Sequence, residues 1–101
     1  MSVDGIDMVL HPPSRLQIAA LLAKVSEMEF ARLRDLTKVS DSVLSKHLSA
    51  LVEAGYVRLR KAAEGGRQRT WASLSAAGNR ALKRHVAALR ALVADLPATA
   101  E

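Results

Sequence analysis

The chain has 101 residues, half of them hydrophobic and 3% aromatic, with a formal charge of +5 and no cysteine. That length makes one domain with a modest core, and an aliphatic balance of this kind favours helices over an all-β design. The missing cysteines exclude a disulfide framework, a thiolate metal site and a cysteine nucleophile, while the positive charge points toward a polyanionic partner.

In chain order, "MSVDGIDMVLHPP" reads as an irregular arm closed by two prolines, with Pro13 suited to the first turn of a helix. "SRLQIAALLAKV", from Ser14 to about Val25, is helical and apolar nearly all round, so it requires cover on more than one side. Its longest unbroken apolar run, Ile18 to Ala23, is far too short to span a bilayer. The first ten residues carry two aspartates and no basic residue, unlike a secretory signal, so a soluble cytoplasmic protein is expected. "EMEF" alternates as a short strand would. "ARLRDLTK" (Ala31 to Lys38) predicts a short amphipathic helix with Leu33 and Leu36 inward and Arg32, Arg34 and Asp35 outward.

After the turn "VSD", Ser40 or Asp41 caps a helix running to about Ala54, and Gly55 stops it. Leu44, Leu48, Leu51 and Val52 make its core side. The pattern then switches to alternation. "YVRLRKAA" places Val57 and Leu59 on one face and Arg58 and Arg60 on the other, "EGG" is a turn, and "RQRTWASL" returns as the second strand of a hairpin. Ser75 caps a last helix reaching about Leu96 before Pro97. The expected division is an arm (1–13), a domain (14–96) and a tail (97–101).

The outer face of the Ser40–Ala54 helix is unusual. At 100° steps Ser42, Ser45, Lys46 and Ser49 share one arc opposite the leucine stripe. Short hydroxyls let a helix backbone approach a surface closely and bond to phosphates or base edges, as a helix in a major groove requires. A face meant only for water would be better served by Glu and Lys pairs. A short helix and a tight turn precede this helix and an arginine-rich hairpin follows it, which is the helix-turn-helix order with a wing appended.

"LSKHLSALVEAGYV" resembles the recognition-helix segment of bacterial winged-helix regulators. "GRQRTWASLSAAGNRAL" resembles the wing and following helix of the MarR-like and ArsR-like groups, and "LHPPSRLQIAALL" is similar to their first helix. The resemblance spans roughly Leu10 to Leu92. It implies a winged helix-turn-helix, mainly α with a small β-hairpin wing (α+β), and a function in transcription regulation. Many ArsR-type sensors carry cysteine pairs for metal, which this chain lacks, and larger MarR-type regulators have longer terminal helices.

The candidate DNA-contacting residues are Ser42, Ser45, Lys46 and Ser49, with Lys46 placed to meet guanine or phosphate. His47, at the border of this face, is a helix-anchoring or phosphate-contacting residue by resemblance and otherwise a partly buried structural one. Arg60, Arg67 and Arg69 of the wing suit a narrow minor groove or its phosphates. Arg32, Arg34 and Lys38 are placed for backbone phosphates, though Asp35 and Glu29 lie close enough for surface pairs. Trp71 reads as hairpin or core packing. His11, His47 and His85 stand on different elements without ligand spacing, so no metal or other cofactor is expected, and nothing resembles a catalytic triad or a phosphate loop.

In the last helix Leu82, Val86, Leu89, Val93 and Leu96 form one stripe, which with Leu16 exceeds what a small domain can cover, so a homodimer is expected. The reading is a non-enzymatic, dimeric regulator, a repressor in expectation, binding double-stranded DNA at an inverted repeat. Release would follow an organic effector, a partner or its own abundance, not thiophilic metals or peroxide. The alternative is a winged-helix module whose same face contacts protein.

Overall fold

The computed structural model describes residues 4–94, 96 and 97; Met1–Val3 and most of the expected tail lie outside them. In chain order the elements are α1 (Pro13–Leu22), β1 (Met28–Glu29), α2 (Phe30–Thr37), α3 (Asp41–Glu53), β2 (Val57–Glu64), β3 (Arg67–Leu74) and α4 (Ala76–Val93). The three strands form one antiparallel sheet in the order β1-β3-β2. The expected winged helix-turn-helix is the observed fold.

Local chemistry accounts for most boundaries. Pro13 opens α1. Ser40 caps α3 by accepting the Val43 N–H at 3.2 Å, and Ser75 caps α4 by accepting the Gly78 N–H at 2.9 Å. At the end of α3 the Gly55 N–H donates to Val52 and the Tyr56 N–H to Leu51, both at 2.9 Å. This double closure needs the left-handed backbone that Gly55 adopts at φ 81°. The α2–α3 turn uses a left-handed residue too, and there it is Lys38 at φ 58°. Glu64 pairs with Arg67 across the two-residue turn Gly65–Gly66.

Several sequence expectations shift. α1 ends at Leu22, not Val25, because its last turn tightens into i→i−3 bonds from Lys24 to Leu21 and Val25 to Leu22. α4 ends at Val93, not Leu96, with a similar bond from Ala94 to Ala91. Val52 is 40% exposed, so the core side of α3 is Leu44, Leu48 and Leu51 alone. Leu59 is 43% exposed although it shares a face with buried Val57, because only the base of the wing is covered by the domain.

The core joins Ile18, Ala19 and Leu22 of α1 to Leu33, the three α3 leucines, Val57, Ala72, Ala81 and Leu82. Leu10 of the arm is fully buried in it. The arm, irregular as expected, thus packs a residue into the core. Asp7 holds it: one carboxylate oxygen accepts the Val9 and Leu10 N–H groups, and the other accepts the Tyr56 hydroxyl at 2.6 Å. The Asp7 N–H donates to Nδ1 of His85 at 3.0 Å, and the His85 ring meets His11 edge-on at 5.7 Å. The spacing of these two histidines along the chain gives no sign that they meet.

A second knot fastens α3 to α4. The Ser75 hydroxyl donates to the Gly55 carbonyl at 2.6 Å, and the Ser75 N–H donates to the Tyr56 carbonyl at 2.9 Å. Gly78 passes so close to that carbonyl that a Cβ there would stand 2.2 Å from it. The glycine of the "LSAAG" motif is thus a contact point between the end of α3 and the start of α4.

Candidate nucleic-acid interface

α3 is held from behind by its three buried leucines, which leaves Ser42, Ser45, Lys46 and Ser49 exposed together on the outer side. Ser42 lies 3.3 Å from the capping hydroxyl of Ser40. Among the described residues no carboxylate comes within ion-pair distance of Lys46. The face is open, polar and uncompensated in charge.

Strand alternation decides what the wing turns toward this helix. Ser45, Leu48 and Ser49 line a shallow cleft of about 240 Å³ with Leu59, Lys61 and Thr70. A neighbouring cleft joins Ser45 to Arg67, Gln68 and Thr70. By register, Lys61 pairs with Thr70 and Ala63 with Gln68, so these residues share the sheet face of Val57 and Leu59. Gln68 and Thr70 are wing residues that sequence reasoning did not single out. The two-residue alternation contained them, but the face next to α3 could not be chosen without the fold.

Arg60 and Arg69 sit on the opposite sheet face, with Trp71. There Arg60 forks onto Glu27, its Nε donating at 3.2 Å, and its guanidinium lies 5.6 Å from the Trp71 ring centre. The bond to Arg60 holds the Glu27 carboxyl below its ordinary pKa, and Glu27 raises that of Arg60 in turn. Arg69 donates to Glu29 at 3.4 Å and lies 4.0 Å from Glu64. Trp71 is half-buried in this stack, as its packing reading expected. Arg67, at the exposed tip, has no carboxylate partner among the described residues.

On α2, Arg34 bridges Asp35 and Asp41, and the bond to Asp41 raises its pKa. Arg32 and Lys38 have no carboxylate partners among the described residues. His47 is half-buried, and its Nδ1 accepts from Arg15 Nε at 3.2 Å. Burial, and then the nearby Arg15 charge, lower its pKa. The bond ties the middle of α3 to α1. Of the cations nominated from sequence, Arg34, Arg60 and Arg69 are engaged by acids, while Lys46, Arg67, Arg32 and Lys38 have no acidic partner among the described residues.

Elsewhere, Leu82 is taken into the domain's own core, and Leu16, Val86 and Leu89 are half-buried. Val93 and Leu96 remain 53% and 63% exposed. Among the described residues no three His, Asp or Glu side chains cluster closely enough to hold a metal, and no helix is long and apolar enough to cross a membrane.

The sequence profile of the winged helix DNA-binding domain matches residues 14–93. The chain belongs to that family. Among solved structures it is similar to a transcriptional regulator homologue from Pyrococcus horikoshii, at 25% identity, 87% coverage of both chains and a TM-score of 0.81. HlyU from Vibrio cholerae is 26% identical, with 86% of each chain covered and a TM-score of 0.63. A zinc-responsive MarR family member, ZitR of Lactococcus lactis, shares the fold at 23% identity and a TM-score of 0.60; the match covers 80% of this chain and 55% of that one. No match is found among curated proteins. The winged helix domain is thus a DNA-binding module of the kind found in transcriptional regulators, with a fold shared by MarR-type proteins.

Proposed function

We propose that the protein is a sequence-specific transcriptional regulator, a repressor that binds an inverted-repeat operator as a homodimer and carries no catalytic activity. The observation that carries this reading is the joint surface of α3 and the wing. Ser45 and Ser49 stand on one side of a cleft with Lys61 and Thr70 on the other, a neighbouring cleft joins Ser45 to Arg67, and Lys46 stands exposed on the same helix. With α3 in a major groove, the hydroxyls and Lys46 reach base edges while the wing lies along the adjoining backbone. Exposed Val93, Leu96 and Met8, with Leu92 and Ile6 around an apolar cleft of about 340 Å³, support a second copy docking at the arm and the end of α4.

Footprinting on the promoter of the protein's own gene tests both parts. Protection of two half-sites about one helical turn apart, related by a dyad, is the expected result. Protection of a single half-site, or none that survives competition by random DNA, would count against the proposal. Sedimentation should give twice the 10.9 kDa chain mass.

A further inference from the structure

Arg15 is the single charged residue of α1, and its guanidinium donates in two directions. Nε donates to Nδ1 of His47 on the recognition helix at 3.2 Å, and Nη1 donates to the Val9 carbonyl of the arm at 3.4 Å. A guanidinium offers only donors and stays charged. The histidine nitrogen that faces it must therefore be bare, which leaves the ring proton on Nε2. Val9 is itself held, because its N–H donates to the Asp7 carboxylate, which also takes the Tyr56 hydroxyl. A continuous set of bonds thus runs from the arm through Arg15 to the middle of α3.

We propose that Arg15 is a positioning residue for DNA recognition, tying His47 to the N-terminal arm and fixing it as a neutral imidazole that presents Nε2–H as a donor. Its purpose rests on the DNA-binding reading above; the bond itself does not. A protonated His47 would set an N–H against the Arg15 N–H and place two positive charges in contact. Burial and Arg15 both hold the ring in its neutral form. Other charges on packed elements are directed elsewhere. Arg34 of α2 bridges Asp35 and Asp41, Arg60 of β2 is paired with Glu27, and Asp7 of the arm serves Tyr56. His47 is thereby biased toward its neutral form in the range where a free histidine titrates, and while neutral it contributes direction without adding to the salt dependence.

Imidazole nitrogen NMR on the free protein reads the ring directly. The expected wild-type result is an Nε2–H tautomer that titrates below an ordinary histidine. Arg15→Leu, which leaves the burial of His47 in place, should move its titration up toward the ordinary value and make operator affinity rise more steeply than in wild type as pH falls through it. Arg15→Lys, which keeps a cationic donor, should preserve the wild-type profile in part. Should Arg15→Leu fail to fold, the wild-type spectrum still decides: an Nδ1–H tautomer, or a cationic ring at neutral pH, overturns the proposal. Identical His47 titration in wild type and Arg15→Leu overturns it too. A ring that behaves as stated while operator affinity ignores Arg15→Leu overturns the role in recognition. Lys46 variants, which leave the Arg15 bond untouched, report separately on whether α3 binds DNA.

Discussion

The junction of α3 with α4 and the outer face of α3 use similar residues in opposite ways. At the junction the Ser75 hydroxyl both donates and accepts, the Tyr56 carbonyl takes the Ser75 N–H, and the Tyr56 hydroxyl serves Asp7. On the outer face Ser45, Ser49 and Lys46 stand exposed, with no side-chain hydrogen bond to the rest of the domain among the described residues. Buried polar groups must be satisfied internally, because each one left alone costs about 1–3 kcal/mol. Exposed ones are kept open for a partner. The difference separates stability from recognition, and substitutions on the two sides should fail in different assays.

The largest effect is expected at Gly78. Its Cβ would meet the Tyr56 carbonyl at 2.2 Å and Leu74 Cδ1 at 2.8 Å, and the carbonyl belongs to a fixed strand start. Gly78→Ala should lose about 2–3 kcal/mol in urea unfolding, despite the better helix propensity of alanine. An unchanged midpoint would show that the junction can open at no cost. Tyr56→Phe, which removes the donor to Asp7, should cost about 1–2 kcal/mol and increase exchange of the Val9 and Leu10 amides.

A pH series sharpens the same contrast. Burial first, and then His11, lower the pKa of fully buried His85, while Asp7 partly offsets them. A folded-state pKa below the unfolded one, about 6.5, makes the unfolded chain bind more protons. The contribution is therefore fully present above that value and is lost as pH falls below it toward the folded pKa. His47 acts in the same direction. The urea midpoint should drop between about pH 7.5 and pH 5.5, and replacing His85 with Gln should flatten that drop. The smallest effect belongs to Lys38→Gly, which relieves a left-handed residue and should gain up to about 1 kcal/mol.

Helices, hairpin and caps are legible in the sequence because each rests on local chemistry: Ser40 and Ser75 as caps, Gly55 as a stop, alternation in the wing. The serine face is legible too, since helical periodicity fixes it once the leucines are assigned. The arm is not. Leu10 is buried by residues distant in sequence, and the bonds of Asp7 to Tyr56 and His85 span 49 and 78 positions. The division of the cations is hidden for a related reason. Glu27 and Glu29 reach Arg60 and Arg69 only because β1 adds to the sheet beside β3, a pairing that two residues of strand scarcely announce.

Operator and random-sequence binding, measured across salt concentrations, tests the central claim most directly. With α3 in the groove, Lys46→Ala and Ser45→Ala should narrow the gap between operator and random DNA by about 1–3 kcal/mol for each good base-edge bond removed. Their unfolding free energies should stay within about 0.5 kcal/mol of wild type. Arg67→Ala with Lys61→Ala should leave most of the gap, lower both affinities, and flatten the slope of log K against log salt by about 0.9 for each phosphate no longer neutralised. Helix variants that bind operator with undiminished specificity would contradict the account.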